Sequence, residues 1–207
     1  MRKINFFKII EFFFIFILLP LFFFYKILPS VFVLPTLWIL SFYVIFLLRN
    51  ENNKALFDKF DFKDFLSVIK RFIIFSIAIF LFTYIFYEDK LFNFFYQKPN
   101  IYILVMILYP LLSVIPQELI FRKFFLFRYE YIFTPKALIL LNAAVFGFIH
   151  IIFSNYIALL FSFIGGLLFI KTYINSKSLS LVCIEHALYG DLIFTVGLGE
   201  FFYHGNI

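Results

Sequence analysis

Charge is scarce in this chain. Asp, Glu, Lys and Arg make up 14% of its 207 residues, against 64% hydrophobic and 25% aromatic residues. A soluble domain carries about a quarter charged residues, so a water-soluble domain of useful size is excluded. Cysteine is nearly absent as well. Cys183 stands alone, so no intrachain disulfide can form, and a thiol inside an apolar run reads as packing. No HExxH-type spacing is present, so a metal site would have to be assembled from separate helices. No internal repeat is visible. The net charge of +6 does not point to nucleic acid, because the basic residues alternate with apolar runs and follow membrane topology instead.

What is there is apolar length. The mean hydropathy is +1.02, and seven runs of membrane-spanning size can be drawn. The first, Ile9 to Tyr25, is interrupted by Glu11. It exceeds a usual signal-peptide core and has no small-residue cleavage site, so it reads as a span. The second is Val31 to Leu48. A polar stretch follows to Arg71, in which Phe57, Phe60, Phe62, Phe65, Leu66 and Ile69 predict the apolar side of a surface-lying helix. The third span is Phe72 to Tyr87, followed by an aromatic, half-immersed loop to Asn100. The fourth starts at Ile101 and contains Pro110 and Pro116, each of which removes a backbone donor. Thr134-Pro135 predicts a turn, Ala137 to Phe153 the fifth span, and Ser154-Asn155 a very short turn. The sixth span, Tyr156 to Ile174, carries Gly165-Gly166, which permits close helix approach. After a turn at Asn175 to Ser178, the seventh runs from Leu179 to about Leu198. Gly197 and Gly199 read as loosening its end, and Glu200 and His204 in the tail as solvated residues.

The expected fold is therefore all-α: a polytopic bundle of about seven spans around an intramembrane polar cavity, with residues 1–207 as a single integral membrane domain. With the N-terminus in the cytoplasm, Lys26, Lys90 and Lys98 are the basic residues outside, and the other fifteen of eighteen face the cytoplasm. The partners expected are a lipid bilayer and a membrane-associated protein or peptide, and no nucleic acid.

The polar residues inside the spans carry the chemistry, since charge at membrane depth is costly and faces a cavity or a partner. Glu118 and Arg122 are four apart, share a helix face and can pair. That pair alone is explained as well by a buried ion pair that fixes packing. Asn142, Phe146 and His150 share another face. Thr134 lies sixteen residues after Glu118 and sixteen before His150, so a helical hairpin puts both about 24 Å from the turn at about 1.5 Å per residue. The same counting places His186 about a turn or two nearer the cytoplasmic face. Glu185 adds a second carboxylate beside His186; a helix-end or interhelix contact is its plainer reading. Tyr189 lies close to the face of His186, and Asp191 is about 140° from it. A Glu with two His is a sufficient set to activate water. The carboxylate can take a proton, and imidazoles can bind zinc or stabilise an oxyanion.

At these residues the chain resembles the CPBP family of intramembrane proteases, the CAAX-protease and bacteriocin-processing group. The family pattern is Glu-Glu-x-x-x-Arg, then Phe-x-x-x-His, then His-x-x-x-Asn/Asp. Gln117-Glu118-Leu-Ile-Phe-Arg122 resembles the first, Phe146-Gly-Phe-Ile-His150 the second and His186-Ala-Leu-Tyr-Gly190 the third. Order and spacing agree over about residues 101–198. The resemblance implies an endopeptidase that cleaves a peptide bond of a membrane-associated protein or peptide with Glu- and His-activated water, in the plasma membrane of a prokaryote. Whether such a site uses a divalent metal such as zinc, held by His150 and His186, stays open.

Two positions depart from the pattern. Gln117 replaces the first Glu, which the family resemblance implies is the water activator, and an amide is no general base. Gly190 stands where Asn or Asp is expected, with Asp191 one place later. Three readings follow. Glu118 is the base, with Arg122 as its partner and Gln117 positioning water or substrate; or Glu185 replaces the missing carboxylate; or proteolysis is lost and the protein is a membrane immunity or scaffold protein. A small transporter using Glu118 as a proton site is a further alternative, which would link uptake to a proton gradient.

Overall fold

The computed structural model describes residues 6–50 and 59–203, and among them there is no strand. Six helices among the described residues are long and apolar enough to cross a membrane: α1 (Phe6–Phe24), α2 (Ser30–Asn50), α3 (Phe62–Phe86), α4 (Pro99–Tyr129), α5 (Pro135–Phe153) and α6 (Tyr156–Ser176). A seventh, α7 (Leu179–Thr195), has 17 residues and packs among them. This is the helical membrane bundle expected from the apolar runs. Large apolar side chains such as Phe42, Ile74, Ile85, Ile103 and Leu140 are exposed on its outside, as a lipid-facing surface requires.

The short turns form where the sequence places helix caps. Thr134 accepts from the Ala137 amide at 3.4 Å with Pro135 at the first helical position, Asn155 from Ala158 at 2.8 Å, and Ser178 from Leu181 at 3.2 Å. Close approach of α5 and α6 depends on small residues. A Cβ at Gly166 would meet the Ala143 backbone, and one at Gly147 would meet Phe163. Gly165, its neighbour, faces the Phe169 ring instead.

The expected surface-lying helix is not separate from the third span. Residues 62–86 form one helix of 25 residues, about 37 Å long, so the charged first turns and the apolar run are continuous. Phe57 lies outside the described residues. Arg71 is therefore a residue of α3, not of a connection.

Three features of α4 shape the interior. It contains two π-helical segments, Pro110–Val114 and Leu119–Phe124, of a kind that recurs at functional sites. Pro116 has no N–H to give the Leu112 carbonyl four residues back. The Trp38 indole of α2 donates to that carbonyl instead, at 3.0 Å. Near the end of α4, Arg128 meets Glu11 of α1 at 2.6 Å, and Tyr43 of α2 donates to the same carboxylate at 2.6 Å. Glu11, an interruption in the first apolar run, is thus the tie among three helices.

At the other end, Leu198–Phe202 is a 3-10 turn. Gly197 has φ of 93°, and a Cβ there would fall on the Lys90 carbonyl. It fixes the chain in a turn that favours glycine, where the sequence reads as loosened. Glu200 pairs with Lys90 at 2.5 Å and holds that ammonium above its ordinary range. His204 lies outside the described residues.

Candidate active site

Glu118 is fully buried, and its two oxygens are held from two sides. Oε2 pairs with Arg122 Nε at 3.0 Å, one turn along α4. Oε1 lies 2.8 Å from Nδ1 of His186 on α7. Arg122, also fully buried, donates through Nη1 to Asn142 Oδ1 at 2.8 Å, and its Cζ lies 4.5 Å from the Phe146 ring centroid. Asn142 in turn donates to the Phe121 carbonyl at 2.5 Å. Glu118, Arg122, Asn142, Phe146 and His186 therefore form one contiguous group from three helices.

The two histidines have assignable tautomers. A carboxylate or a carbonyl accepts only. Nδ1–H of His186 therefore donates to Glu118, and Nε2 faces the Tyr109 hydroxyl at 3.0 Å. Nδ1–H of His150 donates to the Phe146 carbonyl at 2.8 Å. In the neutral ring, Nε2 of His150 then carries a lone pair. Phe146 touches both imidazoles, with centroid separations of 5.2 Å to His150 and 5.6 Å to His186. His186 also stacks on Phe169 at 4.6 Å.

A cavity of about 1070 Å³ opens beside this group. Helices α2 to α7 line it, and most of its wall is apolar. The polar groups on it include Tyr109, Ser113, Gln117, His150 and His186. Glu118 is not among them; it stands behind His186. Gln117 is 8% exposed, donates through Nε2 to Ser113 Oγ at 2.7 Å, and leaves Oε1 without a protein partner.

Of the other residues singled out in the sequence, Glu185 and Asp191 do not line the cavity, whereas Tyr189 does. Glu185 turns to α3, where Arg71 donates to it through Nε at 3.0 Å and Nη2 at 2.5 Å; the same Nη2 donates to Thr172 at 2.6 Å. The interhelix contact is thus its observed surrounding. Tyr189 lines the cavity wall with its ring against Phe72 and Phe169. Asp191 is half-buried, is not on the cavity, and has one oxygen without a protein partner.

The depth offset expected for His186 is not observed. Helix α4 ends at Tyr129 rather than at Thr134, so Glu118 is eleven residues, about 16 Å, from its end. A π-helical segment in that path rises less per residue. His186 is eight residues, about 12 Å, past its cap at Ser178. The two counts nearly meet.

Two contributors were not found from sequence. Tyr109 is one of thirteen tyrosines in an aromatic chain and carried no local signal. Arg71 was hidden by the charge run around it. As for zinc, a catalytic site takes three protein ligands. Both nitrogens of His186 are engaged, and among the described residues no three His, Cys, Asp or Glu side chains gather as a metal site. The donor set here does not fit one.

Residues 99–190 match the family model described as type II CAAX prenyl endopeptidase Rce1-like, of the CPBP group. The matched stretch includes Tyr109, Gln117, Glu118, Arg122, His150, His186 and Gly190. No curated protein and no solved structure matches the chain.

Proposed function

We propose that this membrane protein, with its Rce1-like stretch at residues 99–190, is an intramembrane endopeptidase acting on a membrane-associated protein or peptide. The observation that carries the reading is the buried Glu118–His186 contact of 2.8 Å, with His186, His150 and Gln117 all lining one cavity. In this reading water is bound between His150 and Gln117. His150 Nε2 accepts a proton as the water oxygen attacks the carbonyl carbon of the scissile bond. Glu118 orients His186, which with the Tyr109 hydroxyl at its Nε2 forms the polar end of the cavity set against the tetrahedral oxyanion. Arg122 holds Glu118 in place through their 3.0 Å pairing. The C–N bond breaks as His150 returns its proton to the leaving nitrogen. Glu118 is thus an orienter, not the group that touches water.

The test uses the full chain in liposomes with a farnesylated CAAX peptide and a panel of unlipidated transmembrane peptides. Wild type cleaves at least one, and His150→Ala and His186→Ala each abolish cleavage. If cleavage survives both substitutions, the site is misplaced.

One observation favours a second reading, a catalytically impaired immunity or scaffold protein. Gln117 lines the cavity at the position that matches the family's first Glu. That reading requires wild type to cleave nothing in the panel while binding a membrane partner. We place the protein in a prokaryotic plasma membrane; the distribution of Lys and Arg supports a cytoplasmic N-terminus, and reporter fusions at the connections test that orientation.

A further inference from the structure

We propose that Tyr109 takes the part of the side chain missing at position 190, as a positioning residue for His186, and that Gly190 is the space its ring needs. This rests on the reading of His186 as part of a peptidase site. Residues 186 and 190 are four apart on α7, so a polar side chain at 190 would reach the His186 ring from the same helix. Here that space is filled from α4. A Cβ built on Gly190 would fall on the ring and hydroxyl of Tyr109. The Tyr109 hydroxyl lies 3.0 Å from His186 Nε2. Its ring packs edge-on against Phe194 at 5.4 Å and against His186 at 6.1 Å.

The imidazole is thereby held at both ends, by Glu118 on Nδ1 and Tyr109 on Nε2. An Asn or Asp at 190 and a Tyr at 109 exclude each other sterically, while either one supplies a polar group to the same nitrogen. Gly190 with Tyr109 is then an exchange of one support for another, not a loss. Pro110 follows Tyr109 directly and opens the π-helical segment Pro110–Val114, so the ring leaves α4 at the point where its turn widens.

The experiment uses the full chain in nanodiscs, labelled with nitrogen-15 in its three histidines. Tyr109→Phe keeps the ring and removes the hydroxyl. It is expected to move the His186 Nε2 resonance and to lower kcat on the farnesylated CAAX peptide about tenfold, the cost of one buried hydrogen bond, with KM within about twofold. Tyr109→Leu with Gly190→Asn should return both readouts towards wild type, whereas Gly190→Asn alone should not. An unchanged Nε2 resonance in Tyr109→Phe overturns the proposal, as does an unchanged kcat. If the resonance responds while wild type cleaves no peptide, the support of His186 stands and the peptidase reading falls.

Discussion

Glu118 and His186 are 68 residues apart in the chain and 2.8 Å apart in space, with the carboxylate buried behind the imidazole. The contact gives Glu118 two duties, since its other oxygen pairs with Arg122 at 3.0 Å. Glu118→Gln should therefore fail in two ways. It leaves the Arg122 charge buried without its counterpart, at a cost of about 3–5 kcal/mol. It also removes the charge that orients His186, which should lower kcat by about a hundredfold or more. His186→Gln separates the two: kcat falls as far, while thermal unfolding in detergent shifts much less. Equal unfolding shifts in the two variants would mean that the pair serves packing alone.

Gln117 is the residue whose replacement should raise activity. It faces the cavity, and its free Oε1 is a weak acceptor and no base. Gln117→Glu sets a carboxylate on the cavity that His150 also lines. A well-placed general base contributes about 10²–10⁴ in rate, and a gain in kcat of at least about tenfold is expected at neutral pH. The gain should disappear as pH falls, because a carboxylate accepts a proton only while ionised. A folded variant with no gain at any pH would show that His150 alone suffices, or that water binds elsewhere.

Much of this arrangement was legible in the sequence, and the reasons are physical. Apolar runs of bilayer length identify spans, and Thr134, Asn155 and Ser178 cap the helices where turns were expected. Glu118 with Arg122 followed from a four-residue spacing. The meeting of Glu118 with His186 did not, because depth counting assumes regular helices that run to the turn, and α4 stops early after a π-helical segment. The ends of spans were misplaced where charge and helix coincide: Arg71 looked like a connection because its neighbours are charged. Gly190 read as a missing group, since sequence does not show that a tyrosine from another helix occupies its space.

Chelation tests the histidines differently. His186 has both nitrogens engaged, so a metal at Nε2 would have to displace Tyr109. Cleavage is expected to persist within about twofold in EDTA and in 1,10-phenanthroline, since a two-histidine set lacks the third ligand of a catalytic zinc. Loss in both chelators, with recovery on adding zinc, would reverse this and require His186 to release Tyr109.

Glu11 should matter for stability and not for chemistry. Its carboxylate joins Arg128 at 2.6 Å, Tyr43 at 2.6 Å and Tyr129 at 3.3 Å, which ties α1, α2 and α4 together. Glu11→Ala strands the mostly buried Arg128 and two tyrosine hydroxyls, at about 2–4 kcal/mol. The unfolding temperature should drop clearly, while kcat measured well below it stays within about twofold. A selective loss of kcat would connect this cluster to the cavity.

Glu185 neighbours His186 in sequence but lies about 100° around the helix from it. Its Oε1 takes two donors from Arg71, and the same guanidinium reaches Thr172. The tie joins α3, α6 and α7. Arg71 is 27% exposed at its side chain, so solvent screens the pair, and breaking it should cost about 1–2 kcal/mol rather than the full buried value. Glu185→Gln and Arg71→Ala are expected to lower the unfolding temperature by similar amounts and to keep kcat within about threefold. Replacing both residues by Leu removes the two charges together and should cost less than Glu185→Gln alone. If Glu185→Gln abolishes cleavage while its unfolding matches that of Arg71→Ala, the carboxylate takes part in the reaction, and the base would have to be sought on α7 rather than on α5.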